Sequence, residues 1–379
     1  MKKRLISLVL AFVKLGFTAF GGPAAAYGMM RQEFVVKKKW VSEETFLDYL
    51  GVANLVPGPN ATELAILIGF NHAGWPGMLL AGICYILPAM LTVLVLAWAY
   101  MQFGALPQME GMLYGIKPVV VAIILSAMWG MLKPRLRNYP GLGIVLAVFA
   151  AYLVGVGPML LLLAGGLAMW GIQQIQQGNQ VTGWLPLWLS APWAALQAAV
   201  EQNAFSLTRL FWVFLKAGAV MFGSGYVLLA FIHEDLVLRL GWLTEIQLVD
   251  AIAVGQVTPG PLSTTATFVG YLLGGVPAAV LATFAMFLPS FVFIAIVFFA
   301  VRKLRESAQF AGLIDGINFA ALGLMAGVTW EIAGSALVDP LTYGIAAAAL
   351  FLLLRYEVGA PWLILGGAVL GMARLFIGW

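Results

Sequence analysis

Long apolar runs, interrupted by short polar stretches and by glycine–proline breaks, set the pattern of this chain. No Asp, Glu, Lys or Arg occurs between Glu63 and Glu110, between Arg137 and Glu201, or between Asp250 and Arg302. A bilayer core is about 30 Å thick, and a helix needs about 20 apolar residues to cross it. Each run is long enough for two or more spans. The pattern predicts an all-α polytopic membrane protein.

The pattern also repeats. With the chain offset by 202 residues, Phe12, Lys14 and Gly16 fall on Phe214, Lys216 and Gly218, and Phe20-Gly21 on Phe222-Gly223. Trp40 falls on Trp242, Glu43 on Glu245, Asp48 on Asp250, Pro57-Gly58-Pro59 on Pro259-Gly260-Pro261, and Thr62 on Thr264. One deletion later, Gly69 meets Gly270, Pro76 meets Pro277, Leu87-Pro88 meets Leu288-Pro289, Gly115 meets Gly316, and Gly165-Gly166 meets Gly366-Gly367. The expected organisation is a first repeat over 1–175, a connector over 176–206 and a second repeat over 207–379. Repeats of this kind are typical of transporters whose site lies near the membrane midplane between them.

Charge then assigns orientation. Arg31, Lys37, Lys38 and Lys39 face a second-half counterpart with His233, Glu234, Asp235 and Arg239. Lys133, Arg135 and Arg137 correspond to a stretch bearing only Asp339, and the Glu110 loop corresponds to Arg302, Lys303 and Arg305. Basic residues favour the cytoplasmic side, so the halves are expected to be inverted. With both the N-terminus and 31–40 in the cytoplasm, 5–30 must enter and return, breaking at Gly21-Gly22-Pro23. Likewise 46–72 must return, breaking at Pro57-Gly58-Pro59. Each half then reads as two broken, re-entrant helical hairpins followed by about four transmembrane helices. In the first half these are two long spans, 76–100 and 113–132, and a shorter pair, 142–154 and 158–173. The connector must cross once, over 181–200. The Lys2–Ala26 stretch resembles a signal peptide, but Lys14 interrupts it and the segment recurs internally.

Composition sharpens the exclusions. Charged residues make up 9% of the chain and apolar residues 62%, against about 25% charged in a soluble domain. A soluble enzyme, a disulfide scaffold and a nucleic-acid binder are excluded. The net charge of +4 belongs to the orienting loops. The one cysteine, Cys84, lies in an apolar run. No metal-ligand spacing and no nucleophile–base motif occurs, and neither an enzyme nor a cofactor is expected.

The candidate chemistry lies at the breaks. Backbone broken at membrane depth must be buried in protein or line a cavity. With Pro59 as first helical residue and Gly58 as cap, the amides of Asn60, Ala61 and Thr62 are left free, and in the second half those of Leu262, Ser263 and Thr264. Helix N-termini attract anions. The hydroxyls of Thr62, Ser263, Thr264 and Thr265 add donors, and Gly21, Gly22, Gly223 and Gly225 permit close backbone approach. Lys14, ten residues past Arg4, is carried about 15 Å inward, and it recurs as Lys216, so the two lysines are candidates to balance a dianion. Glu63, whose partner is Thr265, is a candidate proton or coupling group. Asp315 reads as a helix cap, and His72 and His233 as loop residues without a role.

The run Phe20-Gly21-Gly22-Pro23, then Met30–Val35, Trp40 and Leu55–Thr62, resembles the chromate ion transporter family in its long two-domain form. Phe222-Gly223-Ser224-Gly225 and Thr258-Pro259-Gly260-Pro261 resemble that family's second domain. The resemblance implies a multi-pass protein of the cell inner membrane with thirteen spans in antiparallel halves. It implies transport of chromate, with export conferring resistance, and sulfate as the structural analogue. Ser224-Gly225 stands where the first half has Gly22-Pro23, so the halves need not contribute equally. Sulfate or other anion carriage, an anion channel and a membrane scaffold are the competing functions. A homodimer is expected only from base rates.

Overall fold

The computed structural model describes residues 2–20, 22–104, 106–176, 204–222, 225–305 and 308–377. Among these are 14 α-helices and no strand. They run in the same order in both halves: α1 (Lys2–Thr18), α2 (Gly22–Arg31), α3 (Glu43–Ala53), α4 (Asn60–Phe103), α5 (Pro107–Leu132), α6 (Tyr139–Leu153) and α7 (Pro158–Gln176), then α8 (Leu207–Val220), α9 (Val227–Ile232), α10 (Glu245–Val257), α11 (Thr265–Arg305), α12 (Ala308–Ala336), α13 (Pro340–Tyr356) and α14 (Ala360–Ile377). The expected crossing at 181–200 lies outside the described residues.

The repeat extends to the side chains that face inward. α1 buries Leu8, Ala11, Phe12, Leu15 and Gly16, and α8 buries Leu210, Val213, Phe214, Ala217 and Gly218. This is one apolar stripe at helical spacing, used twice in the same register. α2 and α9 each continue into a π-helical segment, Gln32–Lys37 and His233–Arg239. These segments are followed by a left-handed residue, Lys39 in one half and Gly241 in the other. The Ser42 and Thr244 side chains cap α3 and α10 by accepting the Thr45 and Gln247 amides, and Glu43 and Glu245 occupy the favourable first turns.

α4 and α11 are each two helices joined by a sharp bend. The bends fall at Ala73-Gly74 and at Gly274-Gly275, with Gly74 φ 63° and Gly275 φ 66°. The arm before each bend, 60–72 and 265–273, packs back on the span that follows: a Cβ at Gly69 or Gly270 would collide with Gly77 or Ala278. The 11 residues of α3 reach only about 16 Å, less than a bilayer core. Among the described residues, five helical stretches are long and apolar enough to cross a membrane: Asn60–Phe103, Gln108–Arg135, Pro158–Gln176, Leu262–Ile296 and Gly312–Ala336.

The halves interlock. α1 packs on α4 and α8 on α11, within each half, and α4 meets α11 at the centre. The later helices are exchanged: α5 packs on α14 and α13 of the second half, and α12 packs on α7 and α6 of the first. Gly115 lies against the Gly367 backbone and Gly316 against Gly165 and Gly166. Small residues let helix backbones approach where lipid provides no hydrophobic drive. Three expectations are corrected. His72 is not in a loop but lies inside α4 just before its bend, stacked on Trp40 with ring centroids 3.8 Å apart. Asp315 lies inside α12, seven residues after its start, and caps nothing. His233 is not in a loop but is buried in the π-helical segment.

Candidate functional site

Both Pro-Gly-Pro turns lie in the interior, and each is held by the other half. The Gly58 N–H donates to the Met221 carbonyl at 2.6 Å, and the Gly260 N–H donates to the Ala19 carbonyl at 2.9 Å. Gly58 and Gly260 are repeat partners, and so are Ala19 and Met221. The two bonds are one contact made twice, between a Pro-Gly-Pro turn and the end of the opposite half's first helix. Both glycines have positive φ, 144° and 95°, which side-chain-bearing residues adopt only with strain. Gly225 approaches Leu262, just past the second turn, at 3.3 Å from a would-be Cβ. Breaks from both halves therefore meet in one region. Gly22 opens α2; Gly21 and Gly223 lie outside the described residues.

The helix starts differ slightly from expectation. Pro59 and Pro261 are caps rather than first helical residues. The ring fixes φ, so each cap still sends its carbonyl into the first turn. Those carbonyls accept the Thr62 amide at 2.7 Å and the Thr264 amide at 3.0 Å. The amides of Asn60, Ala61, Leu262 and Ser263 precede the first intrahelical acceptor of their turns. The hydroxyls divide. Thr264 donates to Pro261 and Thr265 to Leu262, both carbonyls of their own turn. The Thr62 hydroxyl is buried without a partner, and the Ser263 hydroxyl faces only the Met221 sulfur at 4.0 Å.

The repeated lysines are not brought together as a pair. Lys14 lies on the exposed side of α1, off the buried stripe. Lys216 pairs with the buried Asp235, which also meets Arg239 at 3.2 Å. A further interior cation is Lys117, near the middle of α5. Its ammonium lies 3.7 Å from Asp250 on α10, and Tyr100 donates to the same carboxylate at 2.8 Å. Lys117 is 18% exposed and Asp250 2%. Its signal was present in the sequence as a lone charge inside a predicted span. A second cluster joins the halves where Tyr152, His233 and Glu331 lie within 3.0–3.2 Å of one another. Asp250 recurs as Asp48, but Lys117, Tyr152, His233 and Glu331 have no like residue in the other repeat, so periodicity did not flag them.

Glu63 is the most secluded charge-bearing side chain at the breaks, at 0% exposure. Its carboxyl and the Ser290 hydroxyl, from α11, both crowd the Cα of Gly58. Tyr27 lies against Asn60 and Glu63, and the Asn60 amide group donates to Asn54 at 2.6 Å. The mirror position has no carboxyl: Gly260 faces Ala89, and Thr265 stands in place of Glu63. No group of three or more His, Cys, Asp or Glu suited to a metal occurs among the described residues.

Comparison with known proteins gives this arrangement its context. The family model described as chromate transporter matches residues 6–170 and again 208–372. The chain belongs to the chromate transporter family. A chromate transport protein of Cupriavidus metallidurans is 32% identical over 376 residues, covering 97% of this chain and 92% of the relative. A probable chromate transport protein of Synechococcus elongatus is 32% identical, with 91% and 89% covered. A chromate transport protein of Pseudomonas aeruginosa is 33% identical, with 86% and 80% covered. No solved structure matches the chain. The two family matches coincide with the two runs of helices, so the family unit here is the repeat. This family member is therefore a two-repeat, multi-pass helical membrane protein.

Proposed function

We propose that this protein moves chromate across the cell inner membrane by alternating access between inverted repeats, and that its direction is export. The observation that carries the reading is the reciprocal pair of bonds, Gly58 to Met221 and Gly260 to Ala19. It brings two helix N-termini with spare amides together at a seam between halves, where a tetrahedral oxyanion can be held and either half can move against the other. The names of the relatives support chromate as the cargo. In this reading the backbone of Gly21, Gly22, Gly58, Gly223, Gly225 and Gly260 lets the anion approach. Asn60, Thr62 and Ser263 are donors, and Thr264 and Thr265 hold the turn rather than the ligand. Lys216 contributes positive charge offset by Asp235, and Lys14 attracts anions at the exposed edge of α1.

The energetics favour export. Moving one charge through 100 mV is worth about 2.3 kcal/mol, so a dianion leaving an inside-negative cell gains roughly twice that. Glu63 beside the site would repel a dianion when ionised, so its occupancy couples to substrate.

The test is flux of chromate into liposomes holding the purified protein, under an imposed potential of either sign, with and without sulfate. Saturable flux that reverses with potential and survives excess sulfate supports a chromate carrier. Flux abolished by modest sulfate assigns a general oxyanion carrier, and non-saturating flux without exchange assigns a channel. Absence of any flux rejects the anion site at the Pro-Gly-Pro turns.

A further inference from the structure

An isolated carboxylate inside a membrane protein is costly unless something neutralises it. Glu63 has no salt-bridge partner among the described residues, and both its oxygens lack a hydrogen bond in proper geometry. The same holds for the Asn60 carbonyl oxygen and the Ser290 hydroxyl, which are 7% and 0% exposed as residues. Asn60 and Glu63 are three apart on α4 and share a face. Ser290 reaches the same Gly58 Cα from α11. Glu63 and Ser290, from two halves, thus leave oxygens unsatisfied around one point, and Asn60 adds another on the adjoining turn of α4. The titratable groups near it are the hydroxyls of Tyr27 and Tyr85, which bring no positive charge.

We propose that this cluster of buried oxygens binds a sodium ion. A cation coordinated here would satisfy the Glu63, Asn60 and Ser290 oxygens together and keep Glu63 ionised. The ligands are hard oxygens, which exclude soft metals. A single carboxylate among neutral oxygens suits a monovalent ion, since calcium sites gather more carboxylates. Unwound helices at repeat interfaces are where coupling ions bind. The mirror position, with Ala89 and Thr265, has no carboxyl, so of the two turns only the first offers such a site. The ion sits beside the oxyanion turns and offsets the charge of Glu63, which makes sodium and chromate mutually favourable ligands.

The binding arm of the test is independent of the transport reading; the flux arm rests on it. Thermal unfolding of the purified protein would be followed in sodium chloride against choline chloride at equal ionic strength and pH. Sodium should stabilise saturably and choline should not. Glu63→Gln should abolish the difference, and Ser290→Ala should raise the half-saturating sodium concentration about tenfold. If Glu63→Gln does not fold, Ser290→Ala and Asn60→Ala carry the test. Equal melting in the two salts, or a sodium response undiminished by any of the three substitutions, overturns the site. In liposomes, chromate flux at clamped potential and pH should rise with a sodium gradient. Chromate flux that ignores sodium and follows only potential or pH overturns the sodium inference and leaves transport standing. Sodium binding without chromate flux does the reverse.

Discussion

Replacing Gly58 with alanine tests whether the Pro-Gly-Pro turn is the tight junction described. At φ 144° a side-chain-bearing residue is strained by about 1–3 kcal/mol. The new Cβ would also overlap Glu63 Oε1 and Ser290 Oγ, and overpacking of a filled interior costs about 1–3 kcal/mol. The sum is about 2–6 kcal/mol. Gly74→Ala is the matched control. Gly74 has φ 63° but open space where a Cβ would be, so it should cost only the left-handed strain of about 1–2 kcal/mol. At about 2 °C per kcal/mol for a large chain, Gly58→Ala should melt about 4–12 °C below wild type and Gly74→Ala about 2–4 °C below. The assay is size-exclusion recovery of folded protein after heating in detergent. Equal losses in the two variants would refute the reasoning, because backbone strain alone would then account for both and the crowding at Gly58 would carry nothing.

Lys117→Gln leaves Asp250 buried without its counter-ion and should cost about 3–5 kcal/mol. The double variant with Asp250→Asn should recover most of it, as read from a double-mutant cycle of melting temperatures; additive losses would mean the two do not interact. Asp339 caps α13 and accepts the Tyr114 hydroxyl and the Thr342 amide. Those bonds, the Tyr114 hydroxyl foremost, hold its carboxyl below the usual carboxylate range. Its contribution is therefore present above that range and fades as pH falls through the lowered value. Asp339→Ala should cost about 1 kcal/mol at neutral pH and flatten the acid limb of the stability–pH curve measured by thermal unfolding.

Much of the architecture could be read directly. Charge-free runs longer than a bilayer crossing, the offset repeat and the breaks at Gly21-Gly22-Pro23 and Pro57-Gly58-Pro59 anticipated the helices, their order and the bend after 72. These are local or periodic properties, and a helix's apolar stripe is written in its own residues. The site was legible in outline only. The Pro-Gly-Pro turns were found because they recur, but recurrence also drew attention to Lys14 and Lys216. One of these is exposed and the other is held by Asp235. Lys117, Ser290 and His233 have no like residue in the other repeat, so symmetry hid them.

What the sequence determined alone is the class of molecule: a twice-repeated, helical membrane protein with paired interruptions. Backbone groups cannot go unsatisfied in lipid, so apolar length and break positions leave few alternatives. Tertiary structure decided which half completes which site. α5 and α12 pack on the opposite half, each Pro-Gly-Pro amide is taken at the end of the other half's first helix, and Glu63 of one repeat comes to face Ser290 of the other. Those partners are separated by more than a hundred residues and meet only when two backbones pack through their glycines. A periodicity within one repeat carries no information about which distant oxygen will share its pocket.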